Sequence, residues 1–296
     1  MLNTSAVIER NLSRLQGRIL VLGCMDEMLA SLLEGREAWI VSDHYGVYAR
    51  MVARLGERAL FGLPDDNGQQ LGLFDRIVVL MPKSKPELDL RLRFAASRLN
   101  PDGTVWLLGE KKEGIAGGAT LLAQQYTQTQ KGDTARHCQL WTAQYPREAV
   151  AFHRQDALQS WTVSVGDTSL VVRSYPGVFS HGRLDEATQM LIGTFDQAPR
   201  GPVLDFACGA GVIGAWLRKR WPALSVDLLD VQAQAVESAR ETLQANGLEA
   251  QVIASDGLSG CTRKYATIVT NPPFHEGVRT DPGMTRRFLD EMAQRL

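Results

Sequence analysis

Cysteine is scarce in this chain, with four residues among 296. Cys24, Cys138, Cys208 and Cys261 lie far apart and no two form a C-x-x-C pair. That argues against a zinc site or a disulfide framework and suits a reducing compartment. Of the five histidines, His137, His153, His181 and His275 are scattered and form no metal constellation with them. Long apolar runs are missing as well. No uncharged stretch reaches the ~18 residues that a membrane span needs. The opening MLNTSAVIERNLSRL has no basic-then-apolar leader pattern. The expectation is a soluble, cytoplasmic, monomeric protein without membrane or metal.

An excess of charge of either sign is also lacking. Lys+Arg is 32 against Asp+Glu 33, a net charge of -1. Divided at residue 160, the chain holds 19 basic and 18 acidic residues before that point and 13 and 15 after it. Neither half is therefore a basic module that could grip naked nucleic acid along its length. A nucleic-acid target would have to meet a local patch, or be presented by a larger particle. Lysine is itself rare, 7 residues against 25 arginines, and arginine is the better planar partner for phosphates and base edges.

What remains is ample apolar material, 44% of residues, enough for two cores at ~150 residues per domain. In the second half, Pro202–Asp205 reads as a strand ending in an acid, followed by the turn Phe206-Ala207-Cys208-Gly209-Ala210-Gly211 and a helix from Val212 to Lys219. A strand at Ser225–Leu229 ends in Asp230, and a helix at Gln232–Ala245 is closed by Asn246-Gly247. Strands at Ala250–Ala254 and Tyr265–Thr270 follow, the last running into Asn271-Pro272-Pro273-Phe274. Alternating strands and helices predict a parallel sheet covered on both faces.

The first half repeats this plan. Arg18–Leu22 runs into Gly23, Ala38–Val41 into Ser42-Asp43, and Asp75–Leu80 into Met81-Pro82-Lys83. The interval from Asp43 to Pro82 is 39 residues, and from Asp230 to Pro272 it is 42. The expected fold is thus α/β, two tandem doubly wound Rossmann-like domains, at 1–155 and 165–296. The first is degenerate, having one glycine in its turn and no asparagine before its proline. The second ends at Leu296, short of the strands that complete the first.

Gly209-x-Gly211-x-x-Gly214 followed by Asp230 fits a dinucleotide fingerprint, and spacing alone does not separate a nicotinamide cofactor from S-adenosylmethionine. Asp205 does. A pyrophosphate wants helix amides and no neighbouring carboxylate, whereas a methionine moiety carries an ammonium and a sulfonium that an acid suits. Asp230 would accept hydrogen bonds from ribose hydroxyls. Asp256, after Ser255, sits where an adenine amino group would be met. Asn271 and a proline carbonyl offer two acceptors for one –NH2 group, turning its lone pair toward a methyl donor. Phe274 offers a stacking face. The competing readings are a glycine turn that only packs a helix on its strand, a solvated loop acid, and a rigid strand-ending turn.

At these residues the chain resembles the class I S-adenosylmethionine-dependent methyltransferases that act on exocyclic or amide nitrogen. More closely, it resembles the RsmC-type enzymes, which methylate N2 of a guanine in small-subunit (16S) ribosomal RNA and carry a degenerate domain before an active one. The resemblance implies S-adenosylmethionine held by Phe179, Asp205, Ala207, Cys208, Gly209, Gly211, Asp230, Val231, Ser255, Asp256 and Asn271. It implies catalysis at Asn271, Pro272, Pro273 and Phe274, and a small ribosomal subunit as partner. The segment Tyr175-Pro176-Gly177-Val178-Phe179-Ser180, then Leu184-Asp185, resembles the family's segment that closes over the cofactor. Ala207 departs from the family, which has glycine there. In the family the first domain supports folding and RNA engagement. Here Lys111-Lys112 and Arg136-His137 are the candidates for an RNA patch, and ordinary solvated surface is the competing reading. Trp39, Trp106 and Trp161 are expected in cores or at a domain interface. Two alternatives stand beside this reading: a protein glutamine-N5 methyltransferase, and a non-catalytic RNA-binding or assembly factor.

Overall fold

The computed structural model describes residues 1–64, 71–148, 151–179, 182–271, 290, 292–293 and 296. The chain divides into two units, Met1–Ala157 and Leu158–Leu296.

In the first unit the elements follow in the order α1 (Asn3–Arg10), β1 (Ile19–Leu22), α2 (Met28–Leu32), β2 (Ala38–Ser42), α3 (Tyr45–Leu55), β3 (Ala59–Phe61), β4 (Phe74–Leu80), α4 (Lys85–Arg98), β5 (Leu99–Glu110), α5 (Ile115–Gln125), β6 (Tyr126–Ala135) and β7 (Cys138–Pro146). The seven strands form one sheet in the order β3-β2-β1-β4-β5-β7-β6, parallel except where β7 pairs with β5 and β6. The two-residue periodicity of a strand sends alternate side chains to opposite faces. Leu20, Leu22, Ile77 and Val79 pack under α4 and α5, while Ile19, Val21, Val78 and Leu80 pack under α1, α2 and α3. Trp106 lies in this second core, and Trp39 packs against the first.

The second unit opens with a hairpin, β8 (Gln159–Val165) and β9 (Thr168–Ser174). It continues with α6 (Glu186–Ile192), β10 (Val203–Phe206), α7 (Val212–Arg220), β11 (Val226–Asp230), α8 (Ala233–Ala245), β12 (Gln251–Ala254) and β13 (Thr267–Thr270). Four strands run parallel in the order β12-β11-β10-β13, which repeats the β3-β2-β1-β4 portion of the first sheet. Val203, Val226, Leu228 and Val269 face α7 and α8, and Leu204 and Leu229 face the other side.

Local chemistry sets the helix ends here. α7 starts behind Gly211, whose φ of 76° is left-handed, and its last turn carries Arg218, Lys219 and Arg220 against the negative end of the helix dipole. α8 closes with Gly247 at φ 62°. The Leu248 amide donates to the Leu243 carbonyl at 3.0 Å and the Gly247 amide to Gln244 at 3.1 Å, the Schellman arrangement that satisfies orphan carbonyls.

The ladders also fix how the two copies correspond. Leu22 pairs with Val41 and Phe206 with Leu229, and the next amides, Cys24 and Cys208, donate to those same partners. Gly23 therefore matches Ala207, Cys24 matches Cys208, and Ser42 matches Asp230. Val79 and Thr270 occupy equivalent rungs, so Leu80 matches Asn271. The correspondence of Asp43 with Asp230 and Pro82 with Pro272 is thus off by one residue at both ends. Hydrogen-bond register aligns the copies, whereas shared residue identity had suggested the offset. The chemical conclusion strengthens, since serine and leucine stand where the second unit has an acid and an asparagine.

Candidate active site

The carboxyl ends of β10, β11, β12 and β13 form one edge. Strand order reverses between β10 and β13, and ligands of open parallel sheets sit outside the strand ends at such a switch point. The register places Asn271 beside Ala207, and Asp230 beside Ala254.

The glycines divide their work. A Cβ on Gly214 would lie 2.6 Å from Leu228 Cγ, and one on Gly211 3.0 Å from both Ala239 Cβ and Leu228 Cδ2. These two let α7 pack on β11 and α8, as the bland reading of the turn holds. Gly209 differs, because among the described residues a Cβ there would meet only Val178 Cγ1, at 3.9 Å. Among those residues its face is open to a ligand. Ala207 adopts φ 57°, a left-handed conformation that costs a non-glycine residue about 1 kcal/mol. At the matching position Gly23 has φ 78°.

Asp230 is buried, and its two oxygens accept backbone amides. Oδ2 takes Gly209 N at 2.9 Å and Oδ1 takes Gln232 N at 3.0 Å. Burial pushes its carboxyl above the ordinary value, against the pull of those amides. Each oxygen keeps a lone pair for a further donor. Asp205 is wholly buried, and its Oδ2 accepts Gly214 N at 2.8 Å. Its Oδ1 has no partner among the described residues. Burial pushes this carboxyl up to about 7, with the Asp230 charge adding and the Gly214 amide opposing. An orphaned acidic oxygen, an open glycine and a two-acceptor carboxylate on one strand edge fit a ligand that brings a cation and vicinal hydroxyls.

The other expected site residues distribute as follows. Cys208 is buried, which raises its thiol well above the usual range, so it offers backbone and packing rather than a nucleophile. Val231 is half-buried beside Asp230. The Ser255 hydroxyl is spent within its own loop, accepting Gly260 N at 2.8 Å, so only its backbone is available at the edge. Asp256 is exposed. Phe179 is 50% exposed, next to buried Val178 over the Gly209 turn. Asn271 donates through Nδ2 to Asp185 Oδ2 and Thr188 Oγ1. Pro272, Pro273, Phe274 and His275, with Ser180 and His181, lie outside the described residues.

One supporting feature has no counterpart in the sequence expectations. Ser238 and Thr242 on α8 and its C-cap Asn246 follow one another at four-residue spacing and act as a surrogate strand for β9. Tyr175 N donates to Ser238 Oγ at 2.9 Å, Arg173 N to Thr242 Oγ1 at 3.0 Å, and Val171 N to Asn246 Oδ1 at 3.0 Å. Thr242 Oγ1 and Asn246 Nδ2 return hydrogen bonds to the Arg173 and Val171 carbonyls. This ladder delivers the 175–179 segment to the glycine turn. Thr242→Val keeps the shape and strands two backbone groups. It is expected to cost about 1–3 kcal/mol, read as a lowered urea midpoint for the second unit.

In the first unit, Arg136 and His137 form the two-residue tip between β6 and β7, both at positive φ, 49° and 63°. Lys111 N donates to the His137 carbonyl at 2.9 Å, so the two candidate patch segments do meet. Lys112 pairs with Glu110 at 2.9 Å.

The Methyltransferase small domain family matches residues 169–296, and the Methyltransferase small domain N-terminal family matches residues 5–161. A curated relative from Stutzerimonas stutzeri, "Ribosomal RNA small subunit methyltransferase C", is 40% identical over 292 residues, covering 99% of this chain and 86% of its own. A Pseudomonas aeruginosa relative with the same name is 43% identical over 271 residues, covering 92% and 79%. Among solved structures, the Thermus thermophilus 16S rRNA N2 G1207 methyltransferase, in complex with AdoMet and guanosine, superposes with a TM-score of 0.84 at 21% identity, covering 99% of this chain and 80% of that one. At that identity the superposition speaks for the fold. Identity of this size over nearly the whole chain, with both family models in their expected order, shows that the chain belongs to the ribosomal RNA small subunit methyltransferase C family.

Proposed function

We infer that the protein transfers a methyl group from S-adenosylmethionine to the exocyclic N2 of a guanine in 16S ribosomal RNA. The observation that carries this reading is the placement of the Asn271 amide at the switch point, beside the turn after β10 and across that strand from Asp230. Family membership favours ribosomal RNA over a protein glutamine as the acceptor. Near-neutral charge favours a target presented by the assembled small subunit in the cytoplasm.

The cofactor, when bound, supplies an electrophilic methyl group on a sulfonium that departs as a neutral thioether. Asp230 accepts hydrogen bonds from its ribose hydroxyls while its own amide bonds keep it in place. Asp205 offers Oδ1 to the ammonium. Gly209 lets the chain approach closely, and Phe179, Ala207, Cys208, Gly211, Val231, Ser255 and Asp256 complete the surrounding wall. Asn271 accepts an N–H of the target amine through Oδ1, which turns the nitrogen lone pair toward the methyl carbon. A carbonyl of Pro272 or Pro273 is the second acceptor, and Phe274 stacks on the base. The displaced amine proton leaves to water, and positioning is the main source of rate. Residues 1–155 support folding, with Lys111, Lys112, Arg136 and His137 as the RNA-facing patch. Residues 165–296 carry the chemistry.

The test is transfer from radiolabelled S-adenosylmethionine to undermethylated small subunits, free small-subunit RNA and a protein extract. Label at guanine N2 in the subunit supports the reading. Label in protein moves it to the glutamine class, and cofactor binding without transfer to any acceptor favours an assembly factor.

The raised Asp205 carboxyl makes a pH prediction for the cofactor-free protein. An acid whose folded pKa lies above its unfolded value holds an extra proton in the folded state between the two. Stability therefore falls as pH rises, from about 4 through about 7. The difference in stability between Asp205→Asn and wild type should shift in the variant's favour across that window, on the order of a few kcal/mol. Melting temperatures measured from pH 5 to 8 would show it, and a pH-independent difference would contradict it.

A further inference from the structure

The Asn271 amide is not left to choose its own orientation. Nδ2 spends both hydrogens on α6 residues, one on Asp185 Oδ2 at 2.8 Å and one on Thr188 Oγ1 at 2.9 Å. Asp185 is the N-cap of α6, and the same Oδ2 accepts the Thr188 backbone amide at 2.9 Å. Burial alone would raise this carboxyl, yet hydrogen bonds from the Thr188 amide and the Asn271 side chain hold it below the usual range. Asp185 is thus an anion at neutral pH. An anion can only accept, so the amide nitrogen must face it, and Oδ1 must face away. Among the described residues Oδ1 has no hydrogen-bond donor. It is the acceptor left for a substrate.

We propose that Asp185 and Thr188 are positioning residues for methyl transfer, locking the Asn271 amide in the orientation that presents Oδ1 to the target amine. This rests on the reading of Asn271 as acceptor for that amine. An asparagine amide free to flip about χ2 would offer –NH2 for part of the time. It would then donate toward the nitrogen lone pair that must attack. The lock removes that unproductive orientation before substrate arrives, so its effect belongs in kcat rather than in cofactor binding. The charge-assisted bond to Asp185 does most of the holding, and Thr188 takes the second hydrogen. α6 thereby connects the chain before β10 to the end of β13, 86 residues away.

The experiment measures kcat, KM for undermethylated small subunits and Kd for S-adenosylmethionine in full-length wild type, Thr188→Val, Asn271→Asp, and Asn271→Asp combined with Asp185→Asn. Thr188→Val preserves shape and should lower kcat about five- to tenfold, the worth of one hydrogen bond, with Kd and KM within twofold. Asn271→Asp sets two carboxylates against each other and should lose about 100-fold in kcat. Adding Asp185→Asn returns an –NH2 donor opposite the new carboxylate, with the polarity of the pair reversed, and should recover at least tenfold. A residue that merely caps a helix would give no such rescue. The proposal is overturned if the double variant is no faster than Asn271→Asp while both bind S-adenosylmethionine like wild type, or if Thr188→Val retains wild-type kcat. Failure of the underlying functional reading looks different, since wild type itself would then leave guanine unlabelled.

Discussion

Asn271→Ala is expected to lower kcat for methyl transfer by about 10²–10³-fold, with S-adenosylmethionine affinity unchanged within a few fold. The separation follows from what each edge residue holds. Cofactor contacts are assigned to the β10 turn and to the acid ending β11, where Gly209 N and Gln232 N already fix Asp230. Asn271 directly follows β13, on the other side of β10, and its anchoring bonds run to Asp185 and Thr188 at the start of α6. Its removal deletes an acceptor that matters only when the target nitrogen must be oriented, so the loss should appear in the chemical step. Calorimetric titration of cofactor, paired with single-turnover transfer to small subunits, reads both quantities. Equal loss of affinity and rate would contradict the division of roles.

The elements around the site were legible because each is punctuated. Strands rich in β-branched residues end in an acid, a glycine or an asparagine, and helices stop at Trp221-Pro222 and Asn246-Gly247. The observed bounds of β10, α7, β11, α8 and β12 lie within one residue of those expected, and β13 begins two residues later. The β8–β9 hairpin also left a trace, Gly166-Asp167 between alternating segments, the two-residue turn signal of a hairpin. The Ser238, Thr242 and Asn246 stripe left none. Polar residues at four-residue spacing on a helix ordinarily mark its wet face, and only the arrival of β9 makes Ser238 and Thr242 buried partners and Asn246 a half-buried one. The Asp185–Asn271 bond is likewise invisible locally, since a capping acid and a strand-ending asparagine each have sufficient reasons of their own. Alanine at position 207 could be flagged from the sequence. That it takes the left-handed conformation the turn demands could be seen only in the backbone.

Degeneracy of the first unit was legible as an absence, and the structure shows what fills the space. Arg91, on α4, reaches over the strand ends. Its Nη1 donates to the Leu80 carbonyl at 2.8 Å, the position matching Asn271. Its Nη2 meets Asp43 Oδ2 at 2.7 Å and Glu87 Oε1 at 2.5 Å. A side-chain carbon on Gly23, the counterpart of Ala207, would collide with the guanidinium. All three side chains are nearly buried. Burial pushes the Glu87 carboxyl up, while Arg91 pulls it down. A buried cation shared by two acids thus stands at the strand ends that match those of Ala207, Asp230 and Asn271 in the second unit, and one cofactor per chain is the stoichiometry expected. Arg91→Met should then destabilise the first unit by about 3–5 kcal/mol, because two buried carboxylates lose their counter-charge. The deficit should shrink as pH falls. Glu87 without Arg91 takes up a proton at higher pH than before, and a neutral carboxyl no longer bears the cost of a buried charge. Adding Asp43→Asn and Glu87→Gln to Arg91→Met should restore most of the loss, since neutral polar groups are far cheaper to bury than unpaired charges. Urea unfolding of the three proteins at pH 5.5 and 8 tests the set. A loss below about 1 kcal/mol, or a triple variant no more stable than Arg91→Met, would mean that the cluster is solvated and that packing alone closes the first site.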